Sequence, residues 1–306
     1  RNRDRGDVVE LSSNPSEEVT MTTPVFAVVG ATGQQGGATA RALLAAGERV
    51  RALTRSPGSD AARALADAGA EVVQADLTDP ESVRAAFTGA SRVFGVTTPS
   101  ERGPEQETRD GLGLADAAAA AGVEHVVYSS VGGAERATGI PHFESKRRVE
   151  ERLGELGVPV TFLRPVFFVD NFRWMAPARE DGALILRLAL PPGVPLQMIA
   201  SSDVGAAAAA VLRDPARVPG GAVEIAGDER TGEQAAAAFG VVAGLPARYE
   251  PLPLEVLGDN EDMRLMFEWF GRPPAYQADF AATRELVPDL QDLPTWLARS
   301  GWSAPS

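Results

Sequence analysis

From residue 24 onward, short apolar runs alternate with alanine-rich stretches in which charged residues return at helical spacing. The runs PVFAVVG (24–30), ERVRALT (48–54), AEVVQAD (70–76), RVFGVTT (92–98), HVVYSS (125–130) and VPVTFLR (158–164) read as strands. Helical segments begin near Gln34, Asp60, Pro80, Pro104 and His142. Strands that are apolar on both faces and alternate with helices predict an α/β fold, a doubly wound parallel sheet covered on both sides. After Arg164 the rhythm breaks. PVFFVDNFRWM is aromatic, LALPPGVPL is a proline-broken loop, and QMIASSDVGAAAAAVLRD predicts a strand and a helix that return to the sheet. AVEIAG (222–227) reads as a late strand, TGEQ (231–234) as a capping box opening a helix, and a long helix is expected near 253–270. The organisation predicted is a first domain at 24–165 and a smaller, discontinuous C-terminal lobe at 166–306, with parts of 196–228 rejoining the sheet.

Residues 1–23 open with a polar stretch that has no apolar signal core, and they read as a disordered leader ahead of a start at Met21. Hydrophobic residues make up 44% of the 306, enough for a sizeable core. The 29 Lys and Arg against 42 Asp and Glu leave a formal charge of −13, and no basic run marks a phosphate-tracking surface, so direct nucleic-acid binding is not expected. The absence of cysteine removes disulfides, thiolate nucleophiles and Cys-based zinc sites. His125 and His142 are the only histidines, too few for a His-rich metal centre, and no metal is expected. No apolar run reaches the roughly 18 residues of a membrane span. A cytoplasmic protein is the expectation.

VFAVVGATGQQGGATARALLAAG places Gly30, Gly33 and Gly36 between a strand and an amphipathic helix. The first glycine permits a tight turn, the second lets backbone N–H groups approach a pyrophosphate, and the third allows close helix–strand packing. The spacing is G-x-x-G-x-x-G, and the flanking strand and helix supply the context a dinucleotide site needs. The fold is therefore expected to be of the Rossmann type. About 20 residues on, where an acid would select NAD, the chain has ALTRSPGS. Arg55 offers a planar fork to a 2′-phosphate, and NADP(H) is the cofactor expected.

GATGQQGG together with TRSP, QADLTD and HFESK resembles the NmrA-like family, an atypical branch of the short-chain dehydrogenase/reductases. The resemblance runs from residue 24 to the end and is closest to the redox-sensor (HSCARG) type. It implies a set of cofactor contacts. Gly30, Ala31, Thr32, Gly33, Gln34, Gln35 and Gly36 would cradle the pyrophosphate, and Arg55 would hold the adenosine 2′-phosphate. Asp76 and Leu77 would border the adenine, and Thr97 and Thr98 would line the path to the nicotinamide ribose. Phe168, Val169, Asp170 and Asn171 would close over the nicotinamide. For Asp76 a turn cap, and for Phe168 a place in the core, remain equally open.

Lys146 is the residue that fits its surroundings least. At about 100° per residue it shares a helix face with His142, Val149, Leu153 and Leu156, among apolar residues rather than charged ones. Snorkelling of the ammonium to water is one reading. The resemblance supplies the other, because conventional members carry Tyr-x-x-x-Lys on this helix and use the lysine to bond the nicotinamide ribose. Here the pair is His142-x-x-x-Lys146, with the tyrosine missing. His142 is a candidate proton donor or a helix-start histidine without chemical duty. Ser129 and Ser130 stand at a strand end that often supplies an oxyanion donor, and His125 reads as structural. Two functions follow: an NADPH-dependent reductase of a small carbonyl, quinone or enone, or a non-catalytic NADP(H) redox sensor acting through protein contacts. A small-molecule substrate is expected, with an apolar cleft built from FFVDNFRWM and FEWF to hold it. A homodimer is left open.

Overall fold

The structure, a computed structural model, describes residues 24–99 and 102–305; the expected leader at 1–23 lies outside the described residues. In chain order the first half runs β1 (Val25–Val28), α1 (Gln34–Ala45), β2 (Arg49–Thr54), α2 (Asp60–Asp67), β3 (Glu71–Gln74), α3 (Pro80–Phe87), β4 (Arg92–Val96), α4 (Gly103–Ala121), β5 (His125–Ser129), α5 (Pro141–Glu155) and β6 (Val160–Pro165). The second half runs β7 (Phe167–Phe168), β8 (Ala178–Glu180), β9 (Ala183–Leu188), β10 (Leu196–Ile199), α6 (Ser201–Arg213), β11 (Ala222–Ile225), β12 (Asp228–Arg230), α7 (Gly232–Ala243), β13 (Ala247–Pro251), α8 (Glu261–Phe270), α9 (Phe280–Leu286) and α10 (Leu293–Arg299).

Seven strands form one parallel sheet in the order β11-β6-β5-β4-β1-β2-β3. Alternate residues of a strand point to opposite faces, and β1 feeds two cores accordingly. Phe26 and Val28 join Leu43 of α1, Leu65 of α2 and Val204 of α6 on one side. Ala27 and Val29 join Val83 of α3, Leu114 of α4 and Val149 of α5 on the other. The helices begin where short polar side chains take up free N–H groups: Ser59 accepts from Ala62, and Asp79 from Glu81 and Ser82. The strand order reverses between β1 and β4, the crevice where such sheets bind ligands.

The second half contributes one strand and one helix to this layer. β11 extends the sheet beside β6, and α6 packs across α1. Two expectations need correction. The strand in QMIA does not rejoin the large sheet: β10 pairs with β7 and β12 in a separate three-stranded sheet. The helix expected over 253–270 is two pieces, a 3₁₀ turn at Leu254–Leu257 and α8, because Gly258 takes φ 56° and ψ −133°, which no helix continues through. A further small sheet of β13, β9 and β8 completes the lobe. The capping box of TGEQ closes reciprocally, with Gln234 N–H donating to Thr231 Oγ1 at 3.3 Å and Thr231 N–H to Gln234 Oε1 at 3.0 Å. Among the described residues no helix is long and apolar enough to cross a membrane.

Candidate functional site

The glycine loop turns at the carboxyl end of β1. Gly30 has φ +62°, and its carbonyl accepts from Gly33 N–H at 2.8 Å. A Cβ on Gly36 would lie 2.3 Å from the Gly30 carbonyl oxygen and 2.5 Å from that of Val29, so only glycine lets α1 start this close to the strand. Gly33 occupies the N-cap without a side-chain cap, and the first turn of α1 carries no acid. Its leading N–H groups therefore form an anion-favouring end. Ala31 N–H donates to Leu53 O at 3.1 Å, and the Thr32 and Thr54 hydroxyls bond at 3.1 Å, which ties the loop to the end of β2. Gln34 and Gln35 reach outward: Gln35 Oε1 accepts from the Ser129 hydroxyl and Gln34 Oε1 from that of Ser201 at 3.5 Å.

At the ends of β2 and β3, Arg55 is exposed and Asp76 half-buried. Asp76 Oδ1 accepts from both the N–H and the hydroxyl of Thr78 at 2.9 Å, a turn cap. Those bonds, backbone first, hold its carboxyl below the ordinary value, aided by the charges of Arg102 and Arg55. Leu77 packs against the core beneath. Asp76 thus has a structural duty of its own beside the exposed arginine.

The ends of β4 and β5 hold a buried polar group centred on Lys146. This side chain does not snorkel. Its Nζ donates to the Thr97 carbonyl at 2.6 Å and lies 3.1 Å from Glu107 Oε1, 3.2 Å from Thr97 Oγ1 and 3.4 Å from the Ser129 carbonyl. Burial pushes the ammonium down, but the Glu107 carboxylate, ahead of Tyr128, outweighs it and the net shift is upward. The sequence reading missed Glu107, on α4 and 1% exposed. An acid on the same helix face as Gly111, Leu114 and Ala118 was the available signal, the same kind that singled out Lys146. Tyr128 was missed as well. Its hydroxyl bonds Thr97 Oγ1 at 3.0 Å beneath the lysine, but it is fully buried, and burial drives its pKa up. It is sealed from any substrate and does not replace the missing tyrosine.

Thr98 is exposed beside this group. Ser130 Oγ is buried and has no hydrogen-bond partner among the described residues. His142, at the start of α5, is gripped by Asp262 of α8: its N–H donates to Oδ1 at 3.0 Å, and Nδ1 lies 2.7 Å from Oδ2. The second contact is within ion-pair range. Burial acts to raise the Asp262 carboxyl, and its contacts with His142 bring it below the ordinary value instead. No local pattern marks Asp262, because an acid in a helix's first turn is read as a dipole partner. His125 bonds the Thr161 hydroxyl at 2.9 Å, away from this cluster.

The segment after β6 turns as a 3₁₀ helix, Val169–Arg173. Val169 is core, Phe168 and Asn171 are half-buried, and Asp170 Oδ2 accepts from Ser201 N–H at 2.8 Å, capping α6. The apolar cleft expected from the aromatics does not form from most of them. Phe167, Phe172, Phe267 and Phe270 are at most 4% exposed and interlock edge to face, with ring centroids 5.5–6.2 Å apart where they pair. Trp174 stands 83% exposed next to the turn, and Trp269 packs edge-on against Phe143 and Tyr276.

The sequence model of the NmrA-like family matches residues 22–297. An NmrA-like family domain-containing oxidoreductase, FrzB, from Cladobotryum sp. is 35% identical over 85% of this chain and 90% of its own length. The (4-alkanoyl-5-oxo-2,5-dihydrofuran-3-yl)methyl phosphate reductase of Streptomyces griseus is 32% identical over 90% of this chain and 96% of its own. Among solved structures, the NADPH-dependent quinone oxidoreductase QOR2 of Escherichia coli complexed with NADPH superposes with a TM-score of 0.75 at 26% identity, covering 91% of this chain and 99% of that one.

Proposed function

The chain belongs to the NmrA-like family, and from that premise we propose that it is an NADPH-dependent reductase of a small carbonyl, quinone or enone. The observation that carries the reading is the position of Ser129. Its hydroxyl is bonded to Gln35 of the glycine loop and its carbonyl to Lys146, so the anion-binding turn and the buried polar group form one continuous site. The residues fit a dinucleotide: Gly36 lets α1 start close against the end of β1, the N-terminus of α1 has no side-chain cap, and Ser130 Oγ has no hydrogen-bond partner among the described residues. The reductase names of the Cladobotryum and Streptomyces relatives and of the NADPH-bound Escherichia coli enzyme support the same reading.

In this reading Gly30 to Gly36 hold the pyrophosphate, and Arg55 pairs with the 2′-phosphate. Thr97 and Thr98 flank the ribose that Lys146 anchors, and Phe168 to Asn171 cover the nicotinamide. When bound, NADPH would supply the hydride; Ser130 Oγ would donate to the developing oxyanion, and His142, held by Asp262, would supply the proton to it. The redox-sensor reading draws on the missing tyrosine and on Tyr128 being sealed in the core. Single-turnover NADPH oxidation with a panel of carbonyls and quinones separates the two. A reductase consumes NADPH with at least one of them, and His142→Phe slows that step on the order of 10²-fold with cofactor affinity retained. No oxidation with any acceptor would remove the enzyme reading and leave the sensor.

A further inference from the structure

Lys146 has three N–H donors and no acceptor, and the protein offers each of them a partner. The Thr97 carbonyl at 2.6 Å and Glu107 Oε1 at 3.1 Å are close, whereas the Ser129 carbonyl at 3.4 Å is the longest contact. Glu107 is held in turn: Oε1 also accepts from Thr97 Oγ1 at 3.2 Å, and Oε2 accepts from the Ser145 hydroxyl. Its carboxylate is fully buried, so one negative charge on α4 and one positive charge on α5 neutralise each other inside the fold. The pair bridges both helices to the ends of β4 and β5.

We propose that Glu107 is a positioning residue for the cofactor. As the resident counter-ion of Lys146 it fixes the ammonium against the end of β4, and the donor now spanning to Ser129 is the one that turns to a ribose hydroxyl. This rests on the reading of Lys146 as the ribose anchor. Among the described residues the titratable groups facing the ammonium are Glu107 from α4 and Tyr128 from β5, and the latter is held neutral by burial, so of the two Glu107 supplies the balancing charge.

The test measures NADPH affinity by calorimetry, the emission of bound NADPH at saturation, and melting temperature, for Glu107→Gln, Lys146→Met and the double variant. Both single variants are expected to weaken NADPH tenfold or more, and the double variant no further than Lys146→Met alone. Bound NADPH in Glu107→Gln should show the emission of the Lys146→Met complex rather than the parent's. Parent-like affinity and emission in Glu107→Gln, with only the melting temperature lowered, or losses that add in the double variant, would reduce Glu107 to a packing role and overturn the proposal. Parent-like affinity in Lys146→Met instead overturns the ribose-anchor reading itself, which separates the two failures. Should Glu107→Gln not fold, Ser145→Ala loosens Glu107 without stranding a charge. It is expected to weaken NADPH threefold or more, and an unchanged affinity overturns the proposal.

Discussion

The two halves of the chain arrive at the site by different physics. In 24–165 the loop contributions sit where their own strands end, the glycine turn after β1, Arg55 after β2, Asp76 after β3, Thr97 after β4 and Ser130 after β5, while Lys146 and Glu107 reach in from α5 and α4. In 166–305 the segment beside the site is placed by partners far along the chain. Asp170 caps α6 through Ser201, Asp262 grips His142 across 120 residues, and Arg136 of the first half holds the carbonyl of Ala275. Local geometry governs the strand-end residues of the first half, and long-range satisfaction of polar groups governs the second half and the Lys146–Glu107 pair. Substitutions at the strand ends of the first half should therefore act through backbone clearance, single charges and local turn bonds, and those in the second through caps that span distant elements.

The sharpest way to break this contrast is Gly36→Ala. The new methyl collides with two carbonyl oxygens, both backbone, so α1 itself must move. We expect a loss of about 3 kcal/mol or more in urea unfolding and NADPH binding too weak to measure. A variant with parent stability would show that the turn is less tightly specified than its geometry states.

Next in size is Arg55→Ala. Losing a charge-assisted contact to a 2′-phosphate should cost NADPH roughly 1.5–3 kcal/mol while NADH affinity stays nearly unchanged. Equal affinities for the two cofactors in the unsubstituted protein, by calorimetry, would remove Arg55 from the site.

Asp170→Ala probes the second half. The free N–H of Ser201 loses its acceptor at the start of a helix packed across α1, and the expected cost is about 1–2 kcal/mol in stability. Because the cap also holds the 169–173 turn, NADPH affinity should fall with it. Lost stability at full affinity would detach that turn from the cofactor.

The smallest effect expected is that of Asp76→Asn. A carboxyl held below its ordinary value of 3.8 by the Thr78 bonds contributes stability above the unfolded value and loses it as pH falls through the depressed one. The variant should be less stable than the parent at pH 7 by under about 1 kcal/mol, since the group is partly exposed, and indistinguishable from it near about pH 2. The opposite slope applies to Asp203 of α6, whose carboxyl is raised by burial ahead of its bonds with Gln291; its contribution weakens as pH rises from the ordinary value through the raised one. A difference for Asp76→Asn that persisted to low pH would mean lost packing rather than lost charge.

Periodicity and turn chemistry were enough to read six strands, their helices, the glycine turn and the misfit of Lys146. Each of these depends on residues within a few positions of one another. The pairing of the three-stranded sheets escaped notice because β7, β8 and β12 are only two or three residues long, too short for a period to show, and β9 joins β13 across some sixty residues. The long helix predicted near 253–270 failed at a single glycine whose φ/ψ only the folded chain reveals.

The sequence by itself determined that a tight glycine turn opens α1 and that a cation lies on an apolar helix face, because spacing sets which side chains share a surface. Only the tertiary structure decided that this cation is paired with Glu107 rather than wetted, that Tyr128 beside it is sealed away, and that His142 answers to Asp262. A buried polar group must find its partner wherever packing brings one, and that partner stands 39 positions before Lys146 and 120 after His142.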